Sequence, residues 1–199
     1  HVEVAKLLIQ NGANVKAESD EKYTPLHFSA QNGHVDVAKL LIQKGANVNA
    51  ENDMKQTPLH LSALYGHVEV AKLLIQNGAN VKAEVENKNT TLHLSALNGH
   101  VDVAKLLIRN GANVNAEDHT KWTPLHNSAK KGHADIAKLL IQNGANVKAE
   151  DNEKWTPLHF SAQDGHLDVA KLLIQKGANV KAEDNEKWTP LHLSAHYGH

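Results

Sequence analysis

The sequence contains no cysteine. It can therefore build neither a disulfide framework nor a thiolate metal site, and its redox compartment stays open. It also lacks an excess of charge of either sign, with 21 basic and 22 acidic side chains and a net charge of −1. A strong non-specific grip on nucleic acid or on an anionic membrane needs clustered positive charge, so no nucleic-acid partner is expected. Long hydrophobic runs are missing as well. The apolar runs are a few residues long, as in Leu7-Leu8-Ile9, against the roughly 20 a bilayer-spanning helix needs, so no membrane insertion is expected. The chain begins at His1 with no signal-peptide pattern. P-loop, G-x-G-x-x-G and H-E-x-x-H patterns do not occur, and no cofactor is expected.

What is present is a repeat. Gly33-His34 returns as Gly66-His67, Gly99-His100, Gly132-His133, Gly165-His166 and Gly198-His199, always 33 residues apart. A fixed period of this size signals a stacked array. The boundaries are a half repeat 1–18, full repeats 19–51, 52–84, 85–117, 118–150 and 151–183, and a half repeat 184–199.

Each unit carries its own punctuation. In the unit beginning at residue 19, Thr24-Pro25 marks a helix start, with Thr as N-cap and Pro at the first helical position, where its missing N–H costs nothing. Gly33 suits the left-handed residue that ends this helix. A second helix follows from His34, with Val37, Leu40 and Leu41 forming an apolar stripe at i, i+3, i+4 and Asp36 in the first turn. The polar stretch from Ala46 to Gln56 reads as an extended, hairpin-like connection. A two-helix unit cannot bury its apolar stripe alone, so neighbours must stack into a quasi-one-dimensional solenoid.

With Thr-Pro-Leu-His starting at Thr24, Thr57, Thr123, Thr156 and Thr189, and Ala-Lys-Leu-Leu-Ile in every second helix, the chain resembles an ankyrin repeat array over its whole length. The resemblance implies an all-α solenoid of stacked helix-turn-helix units with protruding β-hairpin loops, non-enzymatic, holding a protein partner on its concave face. It also implies candidate asparaginyl hydroxylation at Asn49 and Asn115. Three departures stand out. Ser29 and its equivalents replace the family's usual Ala, and their hydroxyls are expected to bond back to a carbonyl of their own helix. Lys22, Lys55, Lys88, Lys121, Lys154 and Lys187 replace the usual turn Gly. Lys at positive φ is strained, so a different turn is expected at each fingertip. Thr91 replaces Pro, which should cost little.

Differences between the copies locate a surface. They concentrate in the fingertips and at the ends of the first helices, which in the resembled family line the concave face. Drift of unconstrained positions predicts the same pattern, but the exposed back of the second helix, at Lys39 and Gln43, barely varies. The candidate partner-binding residues are Tyr23, Leu64, Tyr65, Leu97, His119, Trp122, Asn127, Lys130, Lys131, Trp155, Trp188, His196 and Tyr197. Leu64, Tyr65 and Leu97 are expected to form an apolar spot, and Lys130 and Lys131, near His119 and Lys121, a basic step. The three Trp are expected at consecutive fingertips, either as contact anchors or packed along the stem of a neighbouring Lys. Asn127 replaces an apolar residue; buried it needs a hydrogen-bond partner, and facing the groove it is a polar contact.

Thirteen of the fifteen histidines fall in two columns, His27 with its equivalents and His1 with its Gly-His equivalents. Stacked helices lie about 8–10 Å apart, too far for equivalent histidines to share a metal at about 2 Å, so structural hydrogen bonds are expected. Ser and His two residues apart on a helix do not face each other, which argues against a hydrolase. The half units at either end are as apolar as interior copies. A longer array, or homo-assembly of copies head to tail into a rod, is expected from that.

Overall fold

A computed structural model describes residues 2–199; His1, placed in the Gly-His column above, lies outside the described residues. The described residues form twelve helices. First helices of the repeats are α2 (Pro25–Gln31), α4 (Pro58–Tyr65), α6 (Thr91–Leu97), α8 (Pro124–Lys131), α10 (Pro157–Gln163) and α12 (Pro190–Tyr197). Second helices are α1 (Glu3–Gln10), α3 (Val35–Gln43), α5 (Val68–Gln76), α7 (Val101–Arg109), α9 (Ala134–Gln142) and α11 (Leu167–Gln175). First helices pack on one another more extensively than second helices do, so the stack curves toward the first-helix and fingertip side.

The first helix starts as its punctuation dictates. The Thr24 backbone N–H donates to His27 Nδ1 at 3.0 Å, a capping box with His in place of the usual Glu or Gln. The opposite ring nitrogen, His27 Nε2, donates to the Gln56 carbonyl of the next repeat at 3.0 Å. The same pair of bonds is made by His60, His93, His126 and His159, with His60 reaching the Ala83 carbonyl. The second column reaches backward: His67 Nε2 donates to the Gln31 carbonyl at 3.0 Å, and His100, His133 and His166 repeat the bond. The repeats 85–117, 118–150 and 151–183 are thus tied forward by one histidine and backward by the other, whereas His60 bonds a carbonyl of its own repeat and repeat 52–84 is tied backward alone, through His67; both columns make the structural hydrogen bonds expected of them.

Gly33 shows why the turn between the helices is glycine. Its φ is +70°, and a Cβ there would stand 2.6 Å from His67 Nδ1. Ser29, Ser62, Ser95, Ser128 and Ser161 each bond the leucine carbonyl three residues back, at 2.9–3.1 Å. Thr91 opens α6 without Pro, and its hydroxyl donates to the Val81 carbonyl at 3.2 Å. Leu26, Leu59, Leu92 and Leu125, with Leu74, Leu107 and Leu140 of the second helices, fill the core and are fully buried.

Two expectations are corrected at the fingertips. The connection is a pair of tight turns and not extended strands; the one bridge among the described residues pairs Glu84 with Thr90. The six lysines do adopt the left-handed conformation, with φ between 57° and 64°. In the tip at residue 118, the Lys121 N–H donates to the Asp118 carbonyl and the Asp118 N–H to the Trp122 carbonyl, each at 3.0 Å. This is a type I turn followed by a left-handed residue, which closes a three-residue loop. The Asp118 carboxylate accepts the N–H groups of Thr120 and Trp122 and holds the turn against that strain. Replacing Lys154 by Gly should therefore raise stability by about 0.5–1 kcal/mol, read as a higher urea midpoint.

Candidate functional site

Neighbouring fingertips are joined by backbone bonds, Asn152 N–H to the Thr120 carbonyl and Asn185 N–H to the Glu153 carbonyl, both 3.1 Å. They form one continuous rim above the ends of the first helices, and the side chains that vary between copies stand on or below it.

The tryptophans are half-buried in this rim. Trp122 Nε1 donates to Asp151 Oδ2 of the next tip, and Trp155 Nε1 donates to Asp184 Oδ2, both at 3.0 Å. The other oxygen of each Asp accepts backbone N–H groups of its own tip, so one carboxylate organises its loop and anchors the preceding indole. Both indoles lean on Phe160, at centroid distances of 4.5 and 4.9 Å. No lysine ammonium sits over a Trp ring; among the described residues the one cation over a ring is Lys130, 5.7 Å from the Phe160 centroid. Trp188 packs edge-on against His196 at 5.3 Å, and His196 against Tyr197 at 4.9 Å.

Other candidates are dispersed along the groove. Tyr23 stacks on Phe28 at 5.4 Å. Tyr65, about half exposed, has its hydroxyl 3.4 Å from Gln31 Nε2, and Tyr197 meets Gln163 Nε2 the same way. Leu64 is half-buried, and Leu97 shares a cavity with Leu94, Trp122 and Asn127. Tyr65 turns back toward the preceding helix through its contact with Gln31. The basic step is altered. Lys130 Nζ lies 3.0 Å from Asp164 Oδ2 and 2.6 Å from Gln163 Oε1, while His119 reaches back to the Asn87 carbonyl at 3.1 Å. Lys131 and Lys121 of that set stay exposed without an ion-pair partner among the described residues.

Asn127 is 6% exposed and its side chain makes no hydrogen bond among the described residues. Its amide opens into the cavity it shares with Leu97 and Trp122, so the groove-facing reading is the one the geometry favours. Asn49 and Asn115, the hydroxylation candidates, instead clamp the next repeat; Asn49 bonds the Gly78 carbonyl and the Asn80 N–H, and Asn115 does the same with Gly144 and Asn146.

Sequence reasoning missed Asp151, Asp184 and Phe160. A signal for the first two was present: every tip that carries Trp begins with Asp, whereas the Tyr, Gln and Asn tips begin with Ser19, Asn52 and Val85. Among the described residues no cluster of three metal-ligating side chains occurs, and no helix is long and apolar enough to cross a membrane.

This architecture of paired helices, capped by Thr-Pro-Leu-His and rimmed by tight fingertips, defines a repeat solenoid. A family model described as ankyrin repeats matches the chain three times, at residues 1–85, 80–151 and 144–199, and the chain belongs to that family. Ankyrin repeats are generally protein-binding modules and typically non-catalytic. No curated protein matches the chain.

Proposed function

We propose that the chain is a non-enzymatic scaffold that holds a protein partner along the concave groove between fingertips and first-helix ends. One observation carries this reading: the bonds that hold the stack recur from copy to copy, while the groove wall carries different side chains in each repeat. Its aromatic members are set in place beforehand. A partner meeting Trp122 and Trp155 has no rotamer freedom to freeze there, which lowers the cost of association. Rigid, partly buried aromatics are the usual anchors of protein interfaces, each worth about 2 kcal/mol or more. Tyr23, Leu64, Tyr65, Leu97, His119, Lys131, Trp188, His196 and Tyr197 extend the proposed contact surface on either side.

A partner captured from cell extract on the immobilised array provides the test. Met54→Glu with Lys131→Glu changes the groove at exposed positions, and Lys39→Glu with Lys138→Glu makes a somewhat larger charge change on the back of the second helices. Partner affinity should fall at least tenfold in the first variant and less than twofold in the second. The opposite order removes the reading.

A further inference from the structure

Between the last three fingertips the groove holds a cavity of about 640 Å³. Its apolar wall is aromatic: Trp122 and Trp155 flank Phe160. Its polar wall is acidic, with Asp151, Glu153, Asp184 and Glu186 lining the rim. The only cation in the lining is Lys130, and Asp164, which stands outside the cavity, neutralises it. Lys121, Lys154 and Lys187 of the same tips line no part of the cavity, and Lys187 faces Glu183 at 3.6 Å. The Glu186 carboxylate has no ion-pair partner among the described residues. Four carboxylates thus face a space floored by indoles in a chain whose overall charge is nearly zero.

Lys130 shows on a small scale what such a wall accepts, a cation over an aromatic face with a carboxylate behind it. A guanidinium suits the larger opening better than an ammonium. It is planar, stacks on an indole, and donates in a fork that matches two carboxylate oxygens at once. The cavity shares Trp122 and Thr120 with a neighbouring one lined by Leu94, Leu97 and Asn127. There Asn127, more than nine-tenths buried, presents an amide with one donor side and one acceptor side and no side-chain partner among the described residues. That is the complement of a peptide main chain.

We propose that this groove binds an extended peptide segment of the partner through an arginine. The guanidinium lies against the aromatic wall of Trp122, Phe160 and Trp155 and meets the rim carboxylates of Glu153 and Glu186, while Asp151 and Asp184, held by the indoles, add their charge. A neighbouring aliphatic residue of the peptide rests on Leu94 and Leu97, and the main chain between them bonds the Asn127 amide. The proposal rests on the concave-face reading above and adds to it the chemistry of the ligand.

A phage-displayed library of random hexapeptides panned on the 199-residue chain tests it. Arginine should be enriched at one position, with an aliphatic residue at fixed spacing. The best peptide, synthesised with fluorescein, should bind at least tenfold more weakly when citrulline replaces its arginine. A similar loss is expected with Glu153→Gln plus Glu186→Gln, two exposed side chains whose neutralisation leaves the fold alone. Asn127→Leu, which installs the residue found at Leu61, Leu94 and Leu193, should also weaken binding about tenfold while the urea midpoint holds or rises. Enriched peptides without arginine, or arginine peptides indifferent to these variants, overturn the assignment and leave the concave-face reading standing. Recovery of no peptide at all also overturns it, and the groove variants measured with the captured protein then decide the broader reading independently.

Discussion

Between pH 7 and pH 5 the array should lose about 4 kcal/mol of stability from His60 and His126 alone. Burial pushes both imidazoles from the ordinary value of 6.5 down to about 4, against the weaker opposing effect of the carbonyls that accept their Nε2–H. The folded state therefore binds fewer protons than the unfolded chain throughout the interval between 4 and 6.5. Stability from these groups is fully present above 6.5, falls as the pH drops through the interval, and is gone near 4. At pH 5 each of the two costs about 2 kcal/mol. His27, His93 and His159 are lowered by the same desolvation and add to the loss. Asp151, raised by burial, works in the opposite direction at the acid end, one group against five. Urea titrations at pH 7 and pH 5 read the effect directly; equal midpoints would mean that the five imidazoles accept protons in place.

The second large effect is His126→Ala, expected to destabilise by roughly 3–5 kcal/mol. The ring is completely buried, so its removal leaves a cavity. It also strands the Thr123 N–H that caps α8 and breaks the bond to the Trp155 carbonyl of the next repeat, which keeps only the Asp151 N–H. A buried unpaired group costs about 1–3 kcal/mol, and the Thr123 N–H has no other acceptor among the described residues. His192→Ala is the internal control. His192 makes the same cap bond to Thr189 but is exposed, so its loss should cost about 1 kcal/mol, the usual worth of a cap. If the two substitutions cost the same, the forward bond between repeats contributes nothing.

Much of the fold was legible because its determinants are local and copied. Thr24-Pro25, Gly33 and the Ser29 hydroxyl act within one turn of helix, and each does in the structure what its type and spacing imply. The histidine columns were legible by exclusion, since neither spacing permits a shared metal, although their carbonyl partners, 23 to 36 residues away, were not. Lys154 was misjudged for a physical reason. Its left-handed backbone is costly in isolation, and the compensation comes from the Asp151 carboxylate three residues earlier, which accepts two N–H groups of the same loop. The candidate site was legible as a surface and less so in its chemistry. Trp122 and Trp155 were found, but the carboxylates that anchor them come from the following repeat. Lys130 was read as free charge because Asp164, its partner, stands 34 residues away.

Hydroxyl-radical footprinting of the array, free and bound to its captured partner, tests the central claim most directly. Bound partner should protect Met54, Tyr65, Trp122 and Trp155 on the concave side and leave Leu167 and Ile174, exposed on α11, as reactive as before. Protection of Leu167 and Ile174 with the four groove residues unchanged would contradict it.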